Sequence, residues 1–187
     1  MCPQRSPEWY EKRMRHLTAS QIAAAVGDNP YESPNDVIRK KLGIGESFTG
    51  NEATAHGQKY EDEAVLLYEE RTGEKVINFG LLESVKGYGT EFLAGSPDGI
   101  TASLRLIEVK CPFYRKPNGK IPHYYVHQVQ TLMHILDIPV CDFIEYCPAG
   151  FKGEKEMILS VVTIPRCDQF WQEKFPILRT FWLSVNE

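Results

Sequence analysis

The sequence predicts an α/β (α+β) chain in which a mixed central sheet is flanked by helices. Three observations carry this. The first third of the chain is punctuated by helix start and stop signals. The middle is a series of short apolar segments broken by Gly, Pro and Asp, as in a strand meander. One helix-period segment then precedes two more strand segments and a final amphipathic helix. That order, helices, strands, one helix, strands again, belongs to a sheet with helices packed on its faces. The 187 residues suit one folding unit, 1–187, with a helical part over 6–72, sheet and helix over 74–164 and a closing helix over 167–183.

Ser6-Pro7 opens the first helix, to about residue 16, with Pro where the first turn tolerates it. Thr18-Ala-Ser-Gln21 has the form of a capping box, so a second helix starts there, runs through Ile22 to Val26 and stops near Gly27. A third follows Ser33-Pro34 and ends at Gly43, and a longer one covers 53–72 before Gly73. Strands are expected over 75–79, 80–85, 92–96, 98–101 and 104–111. Val126, Val129, Leu132, Met133 and Leu136 give the 124–136 helix its apolar face. Strands return over 140–147 and 156–164, and a helix over 167–183 closes the chain.

Composition excludes several classes. Hydrophobic residues make up 42% and charged residues 25%, an ordinary globular mix. No apolar run approaches the roughly 20 residues of a membrane helix, and the N-terminus lacks a signal-peptide core, so an intracellular protein is expected. The formal net charge of −4 argues mildly against nucleic acid, but net charge does not say where the basic groups sit. Cys2, Cys111, Cys141, Cys147 and Cys167 contain no CxxC pair, so neither a disulfide framework nor a zinc or iron–sulfur site is expected.

The informative stretch is Ser96-Pro97-Asp98-Gly99 followed by Glu108-Val109-Lys110. A hairpin centred on Ser103 would set Asp98 opposite Glu108, with Lys110 on the same face and Ile107, Val109 and Cys111 on the other. Two carboxylates and one ammonium then aim at one small volume. Opposed carboxylates repel, and a divalent cation removes the conflict; all-oxygen donors select a hard ion, Mg²⁺ or Mn²⁺. Such an ion beside Lys110 suits phosphodiester hydrolysis. A surface cross-strand salt bridge is the plain alternative, but charges inside an apolar strand are not expected without a role.

Four blocks in order resemble the phage lambda-type exonuclease and viral recombinase family of the PD-(D/E)XK nuclease superfamily. They are WYEKRMRHLTAS (Trp9 to Ser20), Gly57-Gln-Lys-Tyr-Glu61, SPDG with Glu-Val-Lys-Cys-Pro-Phe (Glu108 to Phe113), and His127-Gln-Val-Gln130 with Met133. The resemblance implies a restriction-endonuclease-like core. It implies Asp98, Glu108 and the carbonyl of Val109 as Mg²⁺ ligands, Lys110 as the catalytic lysine, Glu61 supporting the metal or its waters, and Gln128 placing the water, the lysine or the phosphate. It also assigns Arg13 and Ser20 to a terminal 5′-phosphate, which a helix start and a forked guanidinium would favour.

Each role has a rival: an exposed helix face for Arg13, a simple cap for Ser20, an acidic face with Asp62 and Glu63 for Glu61, and a place on a mostly apolar helix for Gln128. His123 and His127 could ligate metal but lack an evident third ligand, Trp9 and Tyr10 could stack on a base or anchor the first helix, and the loop with Lys116, Asn118, Gly119 and Lys120 could touch DNA or be a solvated turn. By resemblance, the expected activity is Mg²⁺-dependent 5′ to 3′ degradation of linear duplex DNA. A single-strand annealing protein, a ring-shaped homotrimer, and the cytoplasm of a bacterial host or virus-infected cell belong to the same expectation. An endonuclease on the same fold, or an inactive DNA-end-binding protein, is the alternative.

Overall fold

The computed structural model describes residues 3–44, 50–87 and 89–185, so Cys2 lies outside the described residues. Helix α1 (Pro7–Arg15) starts as its signals predict: Ser6 Oγ accepts from the Trp9 N–H at 3.2 Å, and proline occupies the first turn. A two-residue strand, β1 (Leu17–Thr18), leads into a 3₁₀ turn (Ala19–Gln21) and the short helix α2 (Ile22–Ala25). Gln21 Oε1 accepts from the Thr18 N–H at 3.3 Å and from Thr18 Oγ1 at 2.9 Å, so the capping box forms, although the first turn it opens is 3₁₀. Ser33 and Asp36 cap α3 (Pro34–Lys41) reciprocally. Asn51 caps α4 (Glu52–Thr72), which ends on Gly73 in the left-handed region at φ 74°.

The remaining elements are β2 (Val76–Ile77), β3 (Leu82–Glu83), β4 (Leu93–Gly95), β5 (Gly99–Thr101), β6 (Arg105–Lys110), α5 (His123–Ile135), β7 (Val140–Cys147), a 3₁₀ turn (Phe151–Gly153), β8 (Ile158–Pro165) and α6 (Asp168–Val185). The strands divide between two sheets, of order β1-β4-β3 and β2-β5-β6-β7-β8. Pro97 lies at the break: without an N–H it cannot continue a ladder from β4 into β5. The larger sheet is mixed, with β6–β7 parallel and its other neighbours antiparallel.

Strands β6 and β7 are covered on both faces. Ala64 and Tyr68 of α4 pack against Ile107, Val109, Cys111, Ile144 and Tyr146. On the other face Val129, Leu132 and Met133 of α5 meet Leu106, Cys141 and Phe143. Each large apolar side chain so buried contributes about 1.5–3 kcal/mol. At Gly95 the backbone of β4 runs so close beneath α5 that an added Cβ would lie 2.4 Å from Leu132 Cδ2 and 3.1 Å from Ala19 Cβ. No helix of the described residues is long and apolar enough to cross a membrane. The four described cysteines are free, three of them buried.

Candidate active site

The β5–β6 hairpin has the register read from the sequence. Gly99 pairs with Ile107 and Ile100 with Leu106, so Asp98, one residue before β5, stands in register with Glu108. The turn closes through the Leu104 N–H on the Thr101 carbonyl at 3.0 Å, with Leu104 in the left-handed region at φ 60°. Thr101 Oγ1 accepts from the Arg105 N–H at 3.2 Å, which pins the first residue of β6. Ile107, Val109 and Cys111 face α4, and the intervening Glu108 and Lys110 face α5, as the alternation requires.

Glu108 is 1% exposed. Its Oε1 accepts from Lys110 Nζ at 2.5 Å and from Gln128 Nε2 at 2.6 Å, while Oε2 is buried without a partner. Asp98 bonds the backbone of β6. Its Oδ2 accepts the Val109 N–H at 2.7 Å, along the edge of β6 where β5 has not yet begun. Since the N–H and C=O of a strand residue point to the same side, the Val109 carbonyl is turned toward Asp98 as well. Glu61 comes from α4 and pairs with Arg5, Nη2 to Oε2 at 3.8 Å.

The electrostatics of this group are unbalanced. Burial pushes Glu61 up to about 7, with Asp98 adding to it. Burial also raises Asp98, against the pull of Lys110 and the Val109 N–H. Glu108 is pushed up to about 8 by burial despite Lys110, and Asp98 and Glu61 add to the rise. Burial works against the Lys110 ammonium, yet Glu108 and Asp98 hold it charged well above its ordinary value. Among the described residues no three His, Cys, Asp or Glu side chains are already gathered as a metal cluster. The donors nevertheless fit a hard cation: carboxylate oxygens around a buried, partnerless Oε2, in surplus over the nearby positive charge.

Glu61, Asp98, Val109 and Lys110 line a cleft of about 620 Å³ between α4 and the start of α5, together with Arg5, Tyr31, Tyr114, Tyr124 and Tyr125, and Glu108 lies buried behind Lys110. Arg13 and Ser20 are brought together: Arg13 Nη2 donates to Ser20 Oγ at 3.2 Å, and the guanidinium lies 4.4 Å from the Trp9 ring centre. Burial pulls the Arg13 pKa below its ordinary value. Lys41 donates to the carbonyls of Arg13 and His16, and burial brings it down to about 7. Trp9 anchors α1 through Nε1 on Ser96 Oγ at 2.8 Å. Lys116 pairs with Glu154, and Asn118 turns its loop by accepting the Lys120 N–H at 3.0 Å. His123 and His127 meet Asp28, through its carbonyl at 2.8 Å and its Oδ2 at 3.1 Å. Arg5, Lys41 and the cleft tyrosines were not singled out from the sequence, because they reach the site through loops and packing that no local pattern encodes.

A family model for the YqaJ-like viral recombinase domain matches residues 8–139, which contain Glu61, Asp98, Glu108, Lys110, Gln128, Arg13 and Ser20. The chain belongs to this family. Among its relatives is uncharacterized protein R354 of Acanthamoeba polyphaga mimivirus, 36% identical over 76% of this chain and 29% of that protein. Protein D345L of African swine fever virus is 25% identical over 68% of this chain and 45% of its own length. The chain thus spans less than half of either viral relative. Among solved structures, LHK-Exo, an alkaline exonuclease from Laribacter hongkongensis, superimposes on this YqaJ-like domain with TM-score 0.78 in its complex with dAMP, at 26% identity, over 97% of this chain and 93% of that one. A phage-related exonuclease from Haemophilus somnus shares the fold at 16% identity with TM-score 0.61.

Proposed function

We propose that this YqaJ-like domain is a Mg²⁺-dependent exonuclease that degrades linear double-stranded DNA from the 5′ end, leaving 3′ single strands for recombination. The observation that carries the reading is Glu108: one oxygen holds Lys110 and Gln128, and the other is buried and bare among further carboxylates. A buried acceptor without a partner costs about 1–3 kcal/mol, a cost a bound cation would remove. Asp98, Glu108, the Val109 carbonyl and Glu61 would hold Mg²⁺ or Mn²⁺. When bound, the ion polarises a phosphate oxygen and eases deprotonation of the attacking water.

The chain's own residues do the rest. Lys110 offers its ammonium to negative charge developing on the phosphate, or orients the water. Gln128 fixes the Glu108 carboxylate by its hydrogen bond and so fixes the face that Lys110 occupies. Arg13, with no carboxylate in ion-pair range among the described residues, and Ser20 receive the terminal 5′-phosphate. LHK-Exo binds dAMP, which is consistent with a cleft of this kind accepting a nucleotide. A single-strand annealing protein as partner, a homotrimeric ring and an intracellular place of action belong to the same proposal.

The test is agarose electrophoresis of linear and covalently closed circular duplex with Mg²⁺, Mn²⁺ or EDTA. Linear DNA should disappear only with metal, while circles survive. Equal cutting of circles would instead establish an endonuclease, and binding without cleavage an inactive end-binding protein.

A further inference from the structure

One wall of the cleft is aromatic from solvent to the acids. Tyr31 is 81% exposed and meets Tyr124 edge-on, with ring centres 5.7 Å apart at 87°. Tyr124 lies 4.5 Å from Tyr125, whose ring centre is 5.0 Å from Lys110 Nζ. Exposing a large ring costs hydration free energy that folding normally recovers by burial. Tyr31 nevertheless presents most of its surface to solvent at the mouth of the cleft.

The α4 side of the same cleft is lined by Ala53, Thr54, Gly57 and Gln58. Glycine inside a helix is disfavoured relative to alanine. A Cβ at Gly57 would meet nothing within 4 Å, so packing within the chain does not call for it. The cleft is therefore aromatic on one side, and open beside the helix backbone on the other. That shape suits a planar ring attached to a bulky sugar-phosphate strand.

We propose that Tyr31, Tyr124 and Tyr125 form a stacking subsite for one unpaired nucleobase of the DNA strand whose phosphodiester is cut at Asp98, Glu108 and Lys110; this rests on the nuclease reading above. Stacking is indifferent to base identity, because every base has a π-face. The subsite therefore confers a requirement for a base, not for a sequence.

The test uses 5′-phosphorylated linear duplex with an abasic tetrahydrofuran unit at the first, second or third nucleotide. Loss of the base at one of these positions should lower kcat/KM of the wild-type chain about tenfold, since stacking one base contributes about 1–3 kcal/mol. Tyr31→Ala should slow intact DNA by a similar factor, leave that abasic substrate unchanged and so erase the preference; Tyr31→Phe should keep it. The proposal is overturned if Tyr31→Ala slows intact and abasic DNA equally, or if wild type is indifferent at all three positions. If wild type cuts no linear duplex, the nuclease reading fails, and the subsite is then read from a single-stranded oligonucleotide containing 2-aminopurine. Quenching by wild type that Tyr31→Ala abolishes supports it; equal quenching, or none, overturns it.

Discussion

Strands β6 and β7 carry three buried acids, Glu108, Asp142 and Glu145, and two of them, near opposite ends of the pair, live differently. At one end Asp142 receives Arg105 Nε at 2.7 Å and Nη2 at 2.8 Å, the Tyr68 hydroxyl at 2.7 Å and the Thr163 hydroxyl at 2.6 Å. Burial pushes this carboxyl up, but those hydrogen bonds outweigh it and hold Asp142 below the usual range. At the other end Glu108 shares one ammonium with Asp98 and keeps an oxygen with no donor. Both are carboxylates buried on neighbouring strands; the ratio of donors to acceptors differs. A saturated carboxylate ties elements together, whereas an undersupplied one is arranged for something that arrives later.

That contrast can be broken most directly at Lys110. Lys110→Ala should lower single-turnover cleavage of linear duplex, per folded molecule, on the order of 10³-fold. Normal cutting by this variant would remove the functional half of the comparison. Asp142→Asn should do the reverse. Breaking a buried ion pair costs about 3–5 kcal/mol, so urea denaturation should show a loss of that order while cleavage per folded molecule is retained.

Two smaller effects sharpen it. Arg13→Ala should reduce the preference for 5′-phosphate over 5′-hydroxyl ends by about tenfold, the worth of a lost charge-assisted contact, in matched exonuclease assays. The remaining effect is on how stability depends on pH. Folded Glu61 and Glu108 keep protons up to about 7 and about 8, which the unfolded chain releases nearer 4.5. Between those values the folded state binds more protons at these two groups, so their contribution to metal-free stability falls as pH rises from 4.5 toward 8. In EDTA the melting temperature should decline across that window, and Glu61→Gln should flatten the part below pH 7. Added Mg²⁺ binds the ionised carboxylates and should raise the melting temperature more at pH 8 than at pH 6.

Local signals made much of this legible. The caps at Ser6, Ser33 and Gly73, and the hairpin register that sets Asp98 beside Glu108, follow from residues within a few positions of one another. Strand β1 was not legible, because its two residues pair in parallel with Leu93 and Ala94, more than 70 positions away. For the same reason the division into two sheets was not foreseen. The turn at Leu104 carries a left-handed backbone without the glycine that usually announces one. Of the site, the acids, Lys110 and Gln128 could be named from their spacing and their resemblance to a family. The ion pair of Arg5 with Glu61, the clasp of Lys41 on α1 and the tyrosine wall depend on how distant segments pack together, which residue type alone does not encode.

Gly95 lies outside the acidic group, yet it bears on it. Leu132, which fills the space above its α-carbon, stands one helical turn beyond Gln128 on the same rigid α5. The clearance of that single missing methyl group therefore sets the height at which the helix rides over the strands, and with it where the Gln128 amide meets Glu108. A Gly95→Ala chain would retain every polar group of the centre while shifting one of them off its mark, a defect no inspection of the ionisable side chains would reveal.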